Sequence, residues 1–142
     1  MITISRAKPA DSQEIQKLEE KVWREKRVTS PYDAAFFVRF GYVFVAKEND
    51  KVVGAVVGIK TREGDVSVTD WVVDAPHRKK GIGRRLYNRL QKEVKSGRII
   101  AYVQTENRAS VAAHIRMGFK KTKKIQDLFC LGTKEYWWVM KK

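Results

Sequence analysis

The feature that most constrains this chain is an apolar strand that leads through a short loop into a basic amphipathic helix. The strand is predicted over Val66–Val73. In the helix that follows, apolar residues recur every four positions, at Ile82, Leu86, Leu90 and Val94. The first turn of a helix carries unpaired backbone N–H groups and the positive end of the macrodipole. Gly81 and Gly83 have no Cβ atom, so a pyrophosphate can approach those N–H groups closely. The segment therefore predicts an anion-binding turn.

Two other phosphate-binding signatures do not account for this turn. The chain has no G-x-x-x-x-G-K-[ST] sequence, and Leu86 stands at the third glycine of the dinucleotide fingerprint. Charge adds a constraint, because 30 Lys and Arg residues against 16 Asp and Glu residues give a formal net charge of +14. Such a balance indicates an anionic ligand, an anionic polymer or a membrane surface as a partner.

The order of elements predicts an α/β fold with a mixed central β-sheet flanked by helices, β-α-α-β-β-β-α-β-α-β-β. The length of 142 residues predicts one domain over residues 1–142. The predicted strands are 2–4, 42–46, 52–59, 66–73, 99–103, 125–131 and 136–140. The predicted helices are 12–24, 31–40, 82–96 and 107–117, with Gly97 ending the third. Asp11 and Glu14 have the spacing of a capping box at the first helix.

The predicted anion-binding turn carries a family resemblance. Arg78-x-x-Gly81-x-Gly83, placed after a strand, is similar to the coenzyme A motif [QR]-x-x-G-x-[GA] of the GNAT superfamily of N-acetyltransferases. A second segment resembles the family's later pattern N-x-x-[AS]-x-x-x-[YH]-x-x-x-G-F. Its matching residues are Asn107, Ser110, His114, Gly118 and Phe119. The family's usual opening is matched by Ile4, Ala7, Pro9 and Asp11. The resemblance therefore extends over essentially the whole chain.

The resemblance implies a single-domain GNAT fold, acetyl-CoA as cofactor and acetyl transfer to a primary amine of a small molecule, peptide or protein. The turn would bind the pyrophosphate mainly through backbone amides. Main-chain groups of Trp71 and Val73 would pair with the pantetheine arm and the acetyl carbonyl, where this strand splays from strand 99–103. The cofactor-binding residues it implies are Trp71, Val72, Val73, Arg78, Lys79, Lys80, Gly81, Ile82, Gly83, Arg84 and Asn107.

Proton transfer needs an acid for the leaving thiolate and a base for the amine. The resemblance implies His114 beside the sulfur as the acid, and an unperturbed pKa near 6.5 would leave roughly a quarter of it as imidazolium at pH 7. Tyr102 occupies the position where ribosomal-protein N-terminal acetyltransferases carry their glutamate base. The remaining candidates are Asp70 or Glu106, either acting through water, or water itself.

The acceptor is left open by the sequence. The aromatic residues available for its pocket are Trp23, Tyr32, Phe36 and Phe37. The run Tyr136–Met140 predicts a buried strand or, alternatively, a dimer edge, so the chain is expected to be a monomer or a homodimer. A second hypothesis is a weak nucleic-acid-binding domain that uses the basic helix 84–98 and the lysines of 120–124.

The lengths of the apolar runs bear on where the protein is located, and the numbers of cysteines and histidines bear on disulfide formation and metal binding. No apolar run approaches the roughly 18 residues of a membrane span, and no signal-peptide pattern follows Met1. The sequence contains one cysteine, Cys130, which excludes an internal disulfide, and only two histidines, which disfavours a metal site. We therefore expect a cytoplasmic protein without a metal and without a membrane partner.

Overall fold

A computed structural model describes residues 1–23, 30–94 and 98–142 of the chain. The strands are β1 (Ile2–Arg6), β2 (Tyr42–Glu48), β3 (Lys51–Lys60), β4 (Val66–Val73), β5 (Ile99–Gln104), β6 (Lys120–Gln126) and β7 (Tyr136–Lys141). The helices are α1 (Ser12–Trp23), α2 (Pro31–Phe40), α3 (Ile82–Glu93) and α4 (Arg108–Arg116). This order confirms the predicted α/β sequence of elements. Residue 24 and Gly97, which the sequence assigned to helix ends, lie outside the described residues.

The strands of the described residues form one seven-stranded sheet in the order β1-β2-β3-β4-β5-β7-β6. β4 and β5 are parallel, whereas the other neighbouring pairs are antiparallel. The sheet is therefore mixed, as predicted. The single parallel pairing requires a long crossover, which α3 supplies between β4 and β5.

Each face of the sheet has its own apolar core, because successive side chains of a strand point to opposite faces. On the first face, α3 and α4 pack against the sheet through buried residues such as Leu86, Leu90 and Val111. On the second face, α1 and α2 pack through Ile15 and other residues of a separate buried cluster. The two faces are referred to below as the α3/α4 face and the α1/α2 face.

Local residue choices explain several element ends. Ser30 caps α2, since its hydroxyl oxygen accepts the backbone N–H groups of Tyr32 and Asp33, as expected for serine before proline. The capping box predicted from Asp11 and Glu14 is wrong. The Glu14 carboxylate accepts the N–H of Val52 on β3 at 3.0 Å, which ties α1 to the sheet instead.

The strand predicted over residues 125–131 is wrong for most of its length, because β6 is Lys120–Gln126. Its lysine-rich sequence does not read as a strand, yet lysines are common on exposed sheet edges, where they oppose edge-to-edge aggregation. The ammonium groups of Lys121 and Lys124 lie 4.6 and 5.1 Å from the ring centroids of Trp138 and Tyr136. These lysines therefore cover aromatic rings of β7 as well as the edge.

The chain leaves the sheet at Asp127, whose φ of 48° is outside the strand region. Its carboxylate accepts the backbone N–H groups of Leu131 and Gly132 and the hydroxyl of Thr133, which organises the β6–β7 loop. β7 is hydrogen-bonded on both sides, to β5 and β6, so the dimer-edge interpretation of Tyr136–Met140 is wrong. No helix of the described ranges is long and apolar enough to cross a membrane.

Candidate active site

The two parallel strands at the centre of the sheet separate before they end. β4 and β5 pair only from Val66 to Val68, against Ile99 to Ala101. Beyond this point β4 continues to Val73, and β5 continues to Gln104, without pairing to each other. The sheet therefore opens into a gap at the carboxyl ends of both strands. This opening agrees with the splay that the family resemblance implied.

Backbone groups of β4 are directed into this gap. The N–H of Asp74 donates to the carbonyl of Val53 at 2.8 Å, on the β3 side. Because alternate residues of a strand direct their main-chain groups to opposite sides, those of Trp71 and Val73 face the gap. The Val73 carbonyl accepts the Nε–H of Arg78 at 3.0 Å, so the N–H of Val73 is the group left directed at the opening.

A cleft of about 1180 Å³ passes through the gap. On the α3/α4 face its walls include Ile82 and His114, and on the α1/α2 face they include Val22 and Phe37. A channel lined from both faces can hold two ligands that meet inside the sheet. One half adjoins the start of α3, and the other half adjoins α1 and α2.

The start of α3 has the geometry of an anion site. Lys79 and Gly81 both have left-handed φ angles, of 62° and 78°, in the turn before the helix. In the part of the chain that the structure describes, no backbone carbonyl accepts the N–H groups of residues 81–84. Free amides at a helix N-terminus attract negative charge, and the Lys79 and Arg84 side chains, which also line the cleft, add to that attraction.

The two glycines of the turn have different roles. A Cβ atom on Gly81 would meet nothing within 4 Å, so this residue is glycine because of its φ of 78°. A Cβ atom on Gly83 would lie 3.3 Å from Nε1 of Trp71 and 3.4 Å from another atom of that indole. Gly83 therefore makes room for the Trp71 ring, a role that its spacing in the sequence does not indicate.

His114 lies in a buried aromatic cluster on the α3/α4 face. It is 4% exposed, and its ring centroid is 5.0 Å from that of Trp71, 5.7 Å from Tyr87 and 5.2 Å from Phe119. Its Nδ1 lies 2.8 Å from the carbonyl oxygen of Ser110, an acceptor, so Nδ1 carries a proton. The neutral ring consequently presents an unprotonated Nε2.

The charge state of His114 differs from the sequence expectation. Burial lowers its pKa below 6.5, and the opposing effect of the Ser110 hydrogen bond is smaller. The imidazolium fraction at pH 7 is therefore below the quarter expected from an unperturbed pKa. His114 Nε2 and the Tyr87 hydroxyl are both buried, and neither has a hydrogen-bond partner among the described residues. Burial also raises the pKa of Tyr87, which keeps this hydroxyl neutral.

Most of the predicted site residues line the cleft. Those that do are Asp70, Trp71, Val72, Val73, Arg78, Lys79, Gly81, Ile82, Gly83, Arg84, Asn107 and His114. Lys80 and Glu106 are exposed and are not among its lining residues. The side-chain oxygen of Asn107 accepts the N–H of Ser110 at 3.2 Å and so caps α4. Of the two carboxylates considered as the base, Asp70 therefore lies in the cleft and Glu106 does not.

The acceptor half of the cleft contains residues that the sequence reasoning did not select. Of the proposed aromatics, Trp23 and Phe37 line it, whereas Tyr32 and Phe36 do not. The additional lining residues on this side are Tyr102, Gln104, Phe129 and Trp137. Alternation along the predicted strands could have placed Tyr102 and Trp137 on one face of their own strands, whereas Gln104 lies just beyond the predicted strand 99–103. The position of Phe129 in the cleft could not be predicted, because this residue lies in a loop and the sequence predicted a strand there.

Three solved structures illustrate how far this fold is shared. A ribosomal-protein-alanine N-acetyltransferase from Brucella melitensis is 20% identical, with a TM-score of 0.81, and the match covers 99% of this chain and 98% of that chain. Arabidopsis thaliana Naa50, in complex with the bisubstrate analogue CoA-Ac-MVNAL, is 24% identical, with a TM-score of 0.77 and coverages of 99% and 97%. YncA from Salmonella typhimurium, solved with its cofactor acetyl-CoA, is 22% identical, with a TM-score of 0.81 and coverages of 99% and 92%.

A family model extends this likeness from the fold to the sequence. The model of the acetyltransferase (GNAT) family matches residues 12–119, which include α1, the anion-binding turn and α4. That range contains both motifs noted above and ends at Phe119. The chain belongs to the GNAT family of acetyltransferases, whose acetyl donor is acetyl-CoA.

Proposed function

We propose that this chain transfers an acetyl group from acetyl-CoA to a primary amine while both are bound. The observation that carries the proposal is the cleft that crosses the sheet between β4 and β5. A donor held on the α3/α4 face and an acceptor held on the α1/α2 face can meet there without a covalent enzyme intermediate. Bringing two reactants together in this way removes much of the entropic cost of the reaction.

The residues present fit acetyl-CoA, which supplies an acetyl thioester when bound. The free amides of residues 81–84, with the side chains of Lys79 and Arg84, would hold its pyrophosphate. The backbone of Trp71 and Val73 would hold its pantetheine arm as a strand holds a neighbouring strand, and Asn107 would contribute a side-chain amide. The Val73 N–H would stabilise the negative charge that develops on the acetyl carbonyl oxygen.

Asp70 is the better supported of the two candidate bases. It lines the cleft, and it also lines a small adjoining cavity with Ile15 and Phe37, which puts it on the α1/α2 face. The Thr69 hydroxyl lies 3.4 Å from its Oδ2. We assign to Asp70 the removal, through water, of the proton that converts the ammonium group into the neutral, nucleophilic amine. Glu106 is exposed and outside the cleft lining, which disfavours it for this role.

His114 is proposed to protonate the leaving thiolate. Nδ1 is held by the Ser110 carbonyl, so only Nε2 is available for proton transfer. Nε2 is unprotonated in the neutral ring, so it would take the proton that the attacking nitrogen loses after the C–N bond has formed. It would pass this proton to the sulfur as the C–S bond breaks, and a pKa lowered by burial favours that release. The rings of Trp71 and Phe119 would exclude water from this nitrogen.

A direct transfer is further supported by the position of the cysteine. Cys130 is exposed in the β6–β7 loop and is not among the residues that line the cleft, so it is poorly placed to carry an acetyl group. An exposed free thiol also suits a reducing compartment, which supports a cytoplasmic location. We propose that residues 1–142 act as one N-acetyltransferase domain, as a monomer or a homodimer.

The proposal is tested by initial-rate kinetics with a panel of amines and peptide N-termini, following the release of the CoA thiol. We expect at least one acceptor to give intersecting double-reciprocal lines when both substrates are varied, with Cys130→Ser unchanged. Parallel lines together with loss of activity in Cys130→Ser would contradict the direct mechanism. If acetyl-CoA binds but no amine is acetylated, the proposed function is wrong.

A further inference from the structure

We propose that the acceptor half of the cleft selects a primary amine carried on an aromatic or similarly bulky apolar group. The group can be supplied by a free arylalkylamine or by the first residue of a peptide. This inference rests on the function proposed above and adds the class of acceptor to it. It is carried by the composition of the cleft wall on the α1/α2 face.

Aromatic rings from four different elements line this half of the cleft. Trp23 ends α1, Phe37 lies on α2, Tyr102 on β5 and Trp137 on β7. Their faces agree with the alternation of the strands, because Ala101 and Val103 of β5 pack on the opposite, α3/α4 face. Rings that converge from separate elements form a pocket suited to a flat or bulky apolar body.

Phe129 gives this pocket an open aromatic edge. Its ring contacts that of Trp137 in a T-shaped arrangement, with 5.2 Å between the centroids, and the residue is still 58% exposed. The β6–β7 loop holds it there through the Asp127 carboxylate, which accepts N–H groups of Leu131 and Gly132. An exposed ring beside a partly buried one is an apolar surface that an acceptor can cover favourably.

The charges that line the cleft favour an acceptor with one ammonium group. Among the lining residues that the structure describes, Asp70 is the only carboxylate, and it lies on the acceptor side. Among the same described residues, the lining cations lie on the donor side, in the turn before α3, in α3 and in α4, namely Arg78, Lys79, Arg84 and Arg116. Of these described residues, none on the acceptor side offers an opposite charge to the second ammonium group of a polyamine or to the carboxylate of an acidic acceptor.

The first experiment compares acceptors with the purified protein. The probes are 2-phenylethylamine, 2-aminoethanol and spermidine, together with two tetrapeptides that differ only in a first residue of Phe or Ser. We expect kcat/KM for 2-phenylethylamine to exceed that for 2-aminoethanol by at least about tenfold, the ratio given by burial of part of one ring. The peptide pair decides whether the same preference extends to N-terminal residues.

The second experiment changes the pocket edge. Phe129→Ala is expected to raise KM for 2-phenylethylamine by about tenfold, with KM for acetyl-CoA unchanged. Leu131→Ala is the matched control, because Leu131 lies in the same loop, is 76% exposed and is not among the residues that line the cleft. We expect its KM values to stay within about twofold, which is within the usual effect of an exposed substitution.

Binding gives a readout that does not depend on turnover. Titration of 2-phenylethylamine into the CoA-bound protein, followed by tryptophan fluorescence, should saturate, and Phe129→Ala should weaken it. Equal or better use of 2-aminoethanol or spermidine, or an unaltered KM and Kd in Phe129→Ala, would overturn the inference. If acetyl transfer occurs with equal kcat/KM whether or not the acceptor carries an apolar group, only this inference is contradicted. If the parent protein does not bind acetyl-CoA, the proposed function itself is contradicted.

Discussion

The indole N–H of Trp71 donates to the main-chain carbonyl of Gly83 at 3.0 Å. This bond joins the strand at the edge of the sheet opening to the first turn of α3, across twelve residues of chain. The same indole occupies the space next to Gly83 that a Cβ atom would need, and it lies 4.7 Å from the Tyr87 ring and 5.0 Å from the His114 ring, centroid to centroid. The anion-binding turn and the histidine pocket therefore share one support, the Trp71 indole.

That support predicts an indirect effect of Gly83→Ala. The added methyl group would meet the indole of Trp71 at 3.3 Å, so the indole, which is hydrogen-bonded to the first turn of α3, must shift by a few tenths of an ångström. We expect a loss of stability of about 1–3 kcal/mol, typical of overpacking, together with weaker acetyl-CoA binding. Thermal unfolding and calorimetric titration measure the two effects.

Gly64→Ala provides the comparison for this variant. Gly64 has a φ of 89°, and a Cβ there would meet nothing within 4 Å, so the substitution adds backbone strain remote from the site. It should lower stability by about 1 kcal/mol without changing the affinity for acetyl-CoA. If Gly83→Ala weakens acetyl-CoA binding no more than Gly64→Ala does, the contact between Trp71 and Gly83 does not stabilise the anion-binding turn.

Reversing one charge at the start of α3 should weaken acetyl-CoA binding far more than reversing one charge near the end of that helix. Arg84 is exposed and lines the cleft, whereas Lys92 is exposed on the same helix away from it. We expect Arg84→Glu to raise the Kd of acetyl-CoA by about tenfold and Lys92→Glu by less than about twofold, since screening at physiological salt limits effects beyond about 8 Å. Equal effects would indicate that only net charge matters.

His114→Gln should lower kcat much more than it changes the KM for acetyl-CoA. General acid catalysis commonly contributes about 10²–10⁴ in rate, and glutamine can keep a side-chain hydrogen bond without carrying a proton. The measurement is steady-state kinetics with the best acceptor, with a single-turnover experiment to show that chemistry limits the rate. A fall of less than about threefold would leave His114 with a packing role only.

The same histidine makes stability depend on pH. Its pKa is lowered in the folded protein, so the unfolded chain binds more protons below about pH 6.5, and stability falls as pH falls through that region. We expect the Tm of the parent to drop between pH 7.5 and pH 5, and that of His114→Gln to drop less. Asp74, whose pKa the Lys21 hydrogen bond lowers from 3.8, affects stability only at lower pH. If the Tm of the parent and that of His114→Gln fall equally with pH, His114 is not a buried, neutral ring in the folded protein.

Salt separates the enzyme from the nucleic-acid hypothesis. With a net charge of +14, weak binding of a DNA duplex is expected at low salt and should vanish near physiological salt. Acetyl-CoA binding should persist, because backbone amides and strand-like contacts are little affected by screening. Paired titrations of a duplex, a single strand and acetyl-CoA across salt concentrations measure this. Tight duplex binding at about 150 mM salt would make the basic helix a functional surface.

The order of elements could be predicted from the sequence because most of them, β6 excepted, have a local signal. Ser30 and Pro31 mark the start of α2, and the four-residue apolar spacing from Ile82 marks α3. Sequence reasoning failed at Glu14, whose carboxylate bonds to Val52, thirty-eight positions later along the chain. A partner that distant has no signature in local spacing.

The candidate site was predictable where backbone geometry decides it. The left-handed turn at Gly81 follows from a motif, and so do the positions of Asn107 at the N-cap of α4 and of His114 on that helix. The pKa of His114 could not be predicted, because it depends on burial among rings from β4, α3 and the segment after α4. Phe129 is placed by a loop whose shape depends on one carboxylate.

The unpaired stretch of β4 has a thermodynamic consequence. Main-chain groups that face an opening in a sheet lack the partners that a neighbouring strand would give them, and a pantetheine arm can act as that missing strand. A ligand that completes the sheet also stabilises the folded chain, by about 2.7 kcal/mol at a free concentration of a hundred times its Kd. The heat resistance and amide-exchange protection of this protein would then report the supply of acetylated and free CoA around it.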